Sequence, residues 1–462
     1  MRKIQRRRER RVLSRFAGGC ILFGAATIFL AAGSAPAFAQ TPTQGSGEDR
    51  VVLGDLYSRM QRANPRASAA RSLAAAAAAR VSGATRPPDP QLQFGFMNYS
   101  VPRLAPMATI GMPQLQLMQM LPLGGKLALA GRVAGAQASA TAARAEDVKW
   151  DVRTQTAMAF YDLYSTDRGL DVARETLRLL HDIAKTVESM YRVGEGRQTD
   201  VLRANVEIAK MTEDTLRMQA MRESMVAKLN ALLDRDGAFH VGTPALPRFP
   251  DSIPARTRLD SIASGERPMI KGGLGDVSAA EASARLARKE IIPDLVIGVQ
   301  YAQRGGEMGT ERMGSLMFGA SLPVFARDRQ FRMREEAAAM KAMAQADLAA
   351  MRAETRGKIG EAYAALTRSR NLAQLYQTTV LPQAEATVAS ALAAYRVGSV
   401  DFMTLLDDRM TVNKYRQEFY ALVADQGKAW AELEMLTGRE LIDSNTTTSE
   451  LGTGSSTERG AK

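Results

Sequence analysis

The sequence predicts a mixed α/β membrane protein: an internal duplication with four amphipathic strands and two long helical hairpins, whose strands close a barrel only when several copies assemble. Three observations lead there: a repeat at nearly constant offset, short alternating segments, and long proline-free stretches of strong helix formers. Tyr191 to Gly194 and Tyr395 to Gly398 both read Tyr-Arg-Val-Gly, 204 residues apart. Asn64-Pro65 and Arg267-Pro268 open Ala/Arg-rich stretches 203 residues apart, and 25 residues after each proline comes another, Pro90 and Pro293. Beyond the two turns Lys210 answers Lys414, Leu229 answers Leu433 and Leu232 answers Leu436. An offset held within 201 to 204 residues over most of the chain marks two halves of common design.

Residues 1–39 differ in texture from the rest. A basic start (MRKIQRRRERRVLSRF), an apolar run (AGGCILFGAATIFLAAG) and small residues at Ala37 and Ala39 read as a secretory signal cleaved after Ala39. The Arg10-Arg11 pair leaves twin-arginine export open beside the general route. This segment holds 8 of the 61 Lys+Arg and 1 of the 49 Asp+Glu, so the net charge falls from +12 to +5 without it. The basicity is largely that of the signal, and a nucleic-acid partner is not expected. Cys20, the single cysteine, precedes most of the apolar run. The mature chain is therefore expected to lack disulfides, thiolate metal sites and a lipid anchor. No later stretch reaches the ~18 apolar residues of a spanning helix. Three exported classes remain: periplasmic, secreted, or outer-membrane β-barrel.

Each half repeats one order of textures. A short Ala-rich helix ends near a proline, and alternation follows. Leu92, Phe94 and Phe96, then Leu115 and Leu117, share one side of two strands that carry Gln and Asn on the other. Leu295, Ile297, Val299 and Tyr301, then Leu316, Phe318, Ala320 and Leu322, do the same in the second half. A sandwich strand has the same period, but export without an anchor and the helices that follow favour a barrel wall.

No proline occurs from Leu123 to Thr243, and Gly194 to Gly196 is the one visible break. Ascending arms are expected over Lys126–Arg192 and Gln330–Arg396, with a kink at Pro382, and return arms over Asp200–Leu233 and Phe402–Leu436. Apolar positions such as Ala159, Tyr161, Leu163, Leu170 and Leu177 recur at roughly helical spacing. Four strands do not close a barrel, for which about eight is the practical minimum. Three copies would supply twelve strands and six hairpins in a cyclic assembly.

With NPRASAAR, LPLGGK, PDLVIG, the two YRVG turns, DVLRANV, LNALLDRD and LEMLTGRE in place, the chain resembles the TolC-like outer-membrane efflux proteins over about residues 50–440. The resemblance implies a trimeric twelve-stranded outer-membrane barrel continued by a long periplasmic α-helical barrel with an equatorial belt. It divides the chain into a signal (1–39), an equatorial helix and linker (40–89), a first strand pair (90–122) and a first hairpin (123–240). A second linker and helix (241–292), strand pair (293–325), hairpin (326–440) and disordered tail (441–462) follow. It also implies partners: two further copies, a periplasmic adaptor, an inner-membrane pump and outer-membrane lipid.

Roles are implied for the turns as well. Val193, Gly194 and Glu195, with Val397, Gly398 and Ser399, match tips that dock onto the adaptor. Asp200 and Tyr395 match a hydrogen-bonded pair that helps hold the tip closed. Asp407 matches an acidic position lining the aperture, and Asp408 adds a second charge beside it. Where some relatives carry a basic residue two positions past the second turn glycine, this chain has Val400.

LPLGGKLALA resembles the heavy-metal branch of the family, and Met97, Met107, Met112, Met118 and Met120 crowd the first strand pair. Thioethers suit soft Cu(I), although methionine is also an adaptable apolar filler. Metal cations and small organic molecules both stay open as cargo, as does type I secretion. His181 and His240, the only histidines, are expected to be incidental. No arrangement supports an enzyme, and no cofactor is expected. An adaptor or coiled-coil scaffold without a pore is the other class, disfavoured by two hairpins each preceded by a strand pair.

Overall fold

The computed structural model describes residues 50–446 apart from 104, 108–110 and 307–308. The expected export signal and residues 447–462 of the expected tail lie outside the described residues. The alternating segments form an antiparallel sheet in the order β2 (Gln91–Met97), β5 (Met112–Leu121), β7 (Leu295–Gly306), β8 (Gly309–Ala320). Short strands β3 (Tyr99–Ser100) and β4 (Ala105–Pro106) pair beyond the first two.

Register decides what each face carries. Leu92 stands opposite Leu117, Leu117 opposite Val299, and Val299 opposite Leu316; Phe94, Leu115 and Tyr301 form the next row. Successive side chains alternate faces, so this one is apolar along these rows, with Gln119 and the Gln303–Arg312 pair as polar exceptions. It is bare: Phe94 is 66% exposed and Phe318 67%. The other face carries the row Gln93, Gln116, Gln300, Ser315. There Gln300 Nε2 donates to Gln114 Oε1 at 2.5 Å, and Arg304 pairs with Glu311 at 2.6 Å. The end strands β2 and β8 each keep one edge unpaired among the described residues.

Helix α3 (Lys126–Arg192) has 67 residues, about 100 Å at ~1.5 Å per residue. It turns into α4 (Gln198–Leu232). The second hairpin rises through α7 (Gln330–Leu375) and α8 (Leu381–Arg396) and returns through α9 (Phe402–Thr437). Pro382 does not end the arm. A π-helical turn, Tyr376–Val380, precedes it and the helix resumes at Leu381. The wider turn makes room where the proline ring would meet the carbonyl four residues back.

Helix α2 (Pro65–Ala84) packs on α3, and its counterpart α6 (Pro268–Lys289) lies against both α3 and α7. Around mid-length, α1 (Leu53–Ala63) and α5 (Arg256–Glu266) pack against the hairpins. A parallel bridge not anticipated from the sequence joins β1 (Arg50–Val52) to β6 (Thr243–Ala245). The largest buried cluster lies here. Phe160, Tyr161, Leu163, Leu229 and Leu233 are buried together, and the Tyr161 ring lies where a Cβ on Gly427 would be. That close approach sets the spacing of α3 and α9. The tail boundary also moves: Ile442 is buried, Gly54 N donates to Ser444 O, and Arg248 N to Thr446 O. Residues 441–446 are thus packed structure and not the start of a free tail.

Three ion pairs cross the α3–α9 seam. Arg416 reaches Glu175 at 2.9 Å, Lys428 reaches Asp162 at 2.5 Å, and Arg153 reaches Glu434 at 3.5 Å. The last pair is buried on both sides, with the Arg153 guanidinium 3.9 Å from the centre of the Tyr57 ring. Glu434 also accepts from Leu441 N and Ile442 N at 2.8 and 2.9 Å. Removing one partner of a buried pair strands the other charge. Arg153→Met should therefore destabilise the protein by about 3 kcal/mol, read from its thermal or denaturant unfolding. Burial, more than Arg153 offsets, already holds the Glu434 carboxyl above its usual 4.5. A raised folded value favours the folded state below it, so the variant should regain stability as pH falls from that raised value towards 4.5. An unchanged unfolding midpoint would show that the pair contributes nothing.

Candidate functional site at the paired helical tips

The two Tyr-Arg-Val-Gly stretches end α3 and α8 in the same way. Gly194 N donates to Tyr191 O at 3.1 Å and Glu195 N to Met190 O at 2.9 Å. At the second tip Gly398 N donates to Tyr395 O and Ser399 N to Ala394 O, both at 3.0 Å. These paired bonds are the Schellman arrangement, which needs a left-handed residue just past the helix. Gly194 (φ 83°) and Gly398 (φ 73°) supply it. The valine before each glycine is pushed outward: Val193 is 69% exposed and Val397 79%. Glu195 and Ser399 are exposed beside them.

Alike in backbone, the tips differ in surroundings. Tyr395 is only 7% exposed, whereas its repeat counterpart Tyr191 is 45% exposed. Tyr395 lies among Leu405, Leu406, Ala204 and Val187, with its ring 6.0 Å from that of Phe402. Burial first, then the negative charge of Asp200, push its hydroxyl above the usual tyrosine value. Asp200, half-buried in the first turn of α4, is thus an electrostatic neighbour of Tyr395, and no hydrogen bond joins them among the described residues. The neutral hydroxyl remains a donor at physiological pH.

Asp407 and Asp408 lie near the start of α9. Asp407 is exposed, and neither carboxylate makes an ion pair among the described residues. Two features escaped the sequence reading. Asp401 caps α9, accepting from Thr404 N at 3.1 Å and Thr404 Oγ1 at 2.5 Å. Those bonds hold its carboxyl below the usual range, helped by the charge of Arg197 at the other tip. The Asp-x-x-Thr spacing at the helix start could have revealed the cap. The second is Arg416, which also reaches Glu385 at 2.7 Å. It ties α3, α8 and α9 together above the tips, through partners 31 and 241 residues away.

Nothing at the tips is built for bond chemistry. Among the described residues no group of three or more His, Cys, Asp or Glu could hold a metal ion. His181 is exposed, its ring nitrogen 2.8 Å from Leu177 O. What the site offers is two apolar knobs, carboxylates without ion pairs, and a packed joint behind them.

Comparison with known proteins fits this architecture. Solved structures of similar fold include the outer membrane protein VceC from Vibrio cholerae, with a TM-score of 0.72 and 17% identity over 84% of this chain and 96% of that one. Another is CusC, with a TM-score of 0.73 and 16% identity over 86% and 96% of the two chains. The open state of the Neisseria gonorrhoeae MtrE outer membrane channel gives 0.72 and 14% over 85% and 91%. The cobalt-zinc-cadmium resistance protein CzcC of Cupriavidus metallidurans is 22% identical over 324 residues, 69% of this chain and 75% of that protein. The family model described as outer membrane efflux protein matches residues 56–235 and 261–439, one match to each half of the duplication. The chain belongs to the outer membrane efflux protein family, whose members are channels and not enzymes.

Proposed function

We propose that three copies of this chain form the exit duct of a tripartite efflux system and that its cargo is heavy-metal cations. The observation that carries the reading is the unfinished edge at each end of one repeating pattern. Among the described residues strands β2 and β8 each have one free edge, and α2 packs mainly on α3 where its counterpart α6 packs between α3 and α7. A further copy would finish both, with its β8 beside β2 and its α7 beside α2. Closure after three copies gives twelve strands, apolar face to lipid and glutamine face to water, and a helical barrel below. The proposed setting is the outer membrane, with segment 1–39 removed on export and the helical barrel in the periplasm.

At the far end six tips would ring one aperture. Val193, Gly194, Glu195, Val397, Gly398 and Ser399 would meet a periplasmic adaptor, which connects the duct to an inner-membrane pump. Asp407 and Asp408, free of ion pairs among the described residues, suit a carboxylate ring that attracts cations. The buried Tyr395 with Asp200 nearby suits a joint between tips. The metal cargo is supported by the cobalt-zinc-cadmium resistance protein among the relatives.

Purified protein should run as a trimer that gives single-channel conductance in planar bilayers; a monomer without conductance would overturn the duct. A bulky residue at Gly194 or Gly398 forces a side chain into the left-handed region at about 1–2 kcal/mol, too little to unfold the chain. Gly194→Leu and Gly398→Leu should therefore leave trimers intact while adaptor-dependent export fails, measured as growth of an efflux-deficient strain in zinc, cadmium or cobalt. Normal export in both variants would reduce the tips to plain turns.

A further inference from the structure

Every methionine of the four-stranded sheet lies on its glutamine-bearing face. Register places Met97, Met112, Met118, Met120, Met313 and Met317 there, while leucine, phenylalanine, isoleucine and tyrosine dominate the opposite face. Apolar filler would be expected among the leucines, where the sheet meets hydrocarbon. That face otherwise carries Gln, Ser and an Arg304–Glu311 pair, with Val296 opposite Met120 and Ala302 opposite Met313. Met118 and Met317 have no apolar side chain directly opposite, only Gly298 between them and, for Met118, Gln91, so their placement calls for a reason other than packing.

Two of them converge. Met118 and Met317 stand on either side of Gly298 in one cross-strand row. A Cβ at Gly298 would lie 3.2 Å from Met317 Cε and 3.4 Å from Met118 Cγ, so the missing side chain lets both thioether chains lean over the central strand. The Gln116 amide nitrogen is 4.0 Å from the Met317 sulfur. Met120 follows on the same face of β5, and Met97 and Met112 oppose each other directly further along.

Thioethers are soft, uncharged donors that select Cu(I)-like ions over harder divalent cations. We infer that Met118 and Met317, meeting across Gly298, form a subsite for a soft monovalent cation, Cu(I) or Ag(I), on the water-facing wall of the barrel. The inference rests on the duct reading above and adds a soft monovalent ion to the divalent cations tested there. Two neutral donors on an open wall bind weakly, and weak binding suits an ion that must leave again.

The test uses full-length protein carrying Cys20→Ser, which removes the only thiol. The comparison is with the same protein carrying Met118→Leu and Met317→Leu, a swap that preserves volume and apolar character. Planar-bilayer currents are recorded in nitrate salts with added Ag(I) or Zn(II). Ag(I), and not Zn(II), should reversibly reduce the current, and the double variant should need at least about tenfold more Ag(I), a loss on the scale of a disrupted metal-site partner. X-ray absorption of the silver-loaded protein should show sulfur ligands that the double variant lacks. Equal Ag(I) sensitivity in both proteins, or silver without sulfur ligands, overturns the subsite and leaves the duct standing. Absence of conductance from both proteins defeats the duct, and the subsite falls with it.

Discussion

A strand edge cannot end in hydrocarbon, because its unpaired N–H and C=O groups would find no partner there. The rest of the molecule is arranged around that constraint. A sheet of four strands with one largely apolar and one polar face has two such edges, and among the described residues no further strand covers them. In the proposed duct, lipid would cover the apolar rows of Leu92, Leu117, Val299 and Leu316 and every edge would be paired. Duplication helps meet the demand, since an edge that already accepts a neighbour within the chain is the template for accepting one from outside.

The helices inherit the same repeat but not the same chemistry. Within the chain the seam between the two hairpins carries Arg153–Glu434, Lys428–Asp162 and Arg416–Glu175. At the 204-residue offset, Glu434, Lys428 and Arg416 answer Asn230, Ser224 and Thr212, none of them charged. The two return arms have therefore diverged where they meet other helices. Each chain holds its hairpins together with charges that its own repeat lacks. The tips show the same divergence on a smaller scale, with Tyr395 packed inside the joint and Tyr191 facing out.

Much of this was legible in the sequence because it is written in local patterns. Alternation gave the strands and the composition of their faces, and proline-free runs gave the arms, with α3 starting at Lys126 and ending at Arg192. The repeated Tyr-Arg-Val-Gly gave two turns, and the structure adds why the glycine is needed. What was not legible depends on contacts distant along the chain. Arg416 and Glu175 are separated by 241 residues, and no local pattern links them. Nor does a three-residue parallel bridge such as β1–β6 leave a period to read. The proline at 382 was legible as a disturbance but not as a π-turn, because the choice depends on how the flanking helix is held by its neighbours. Methionines were visible as a crowd around the first strand pair. Only register showed that they share a face, and that Met317 from the other half joins them.

The bare apolar face and the two open edges also constrain how the protein is made. Before assembly, a folded copy would expose Leu92, Phe94, Leu316 and Phe318 to water beside strands ready to pair with any other strand. Such a copy would aggregate in the aqueous space and could not rest in lipid alone. In the proposed trimer, oligomerisation and membrane insertion would then occur as one event, and the long helices, which can fold in water, would be free to form ahead of the strands.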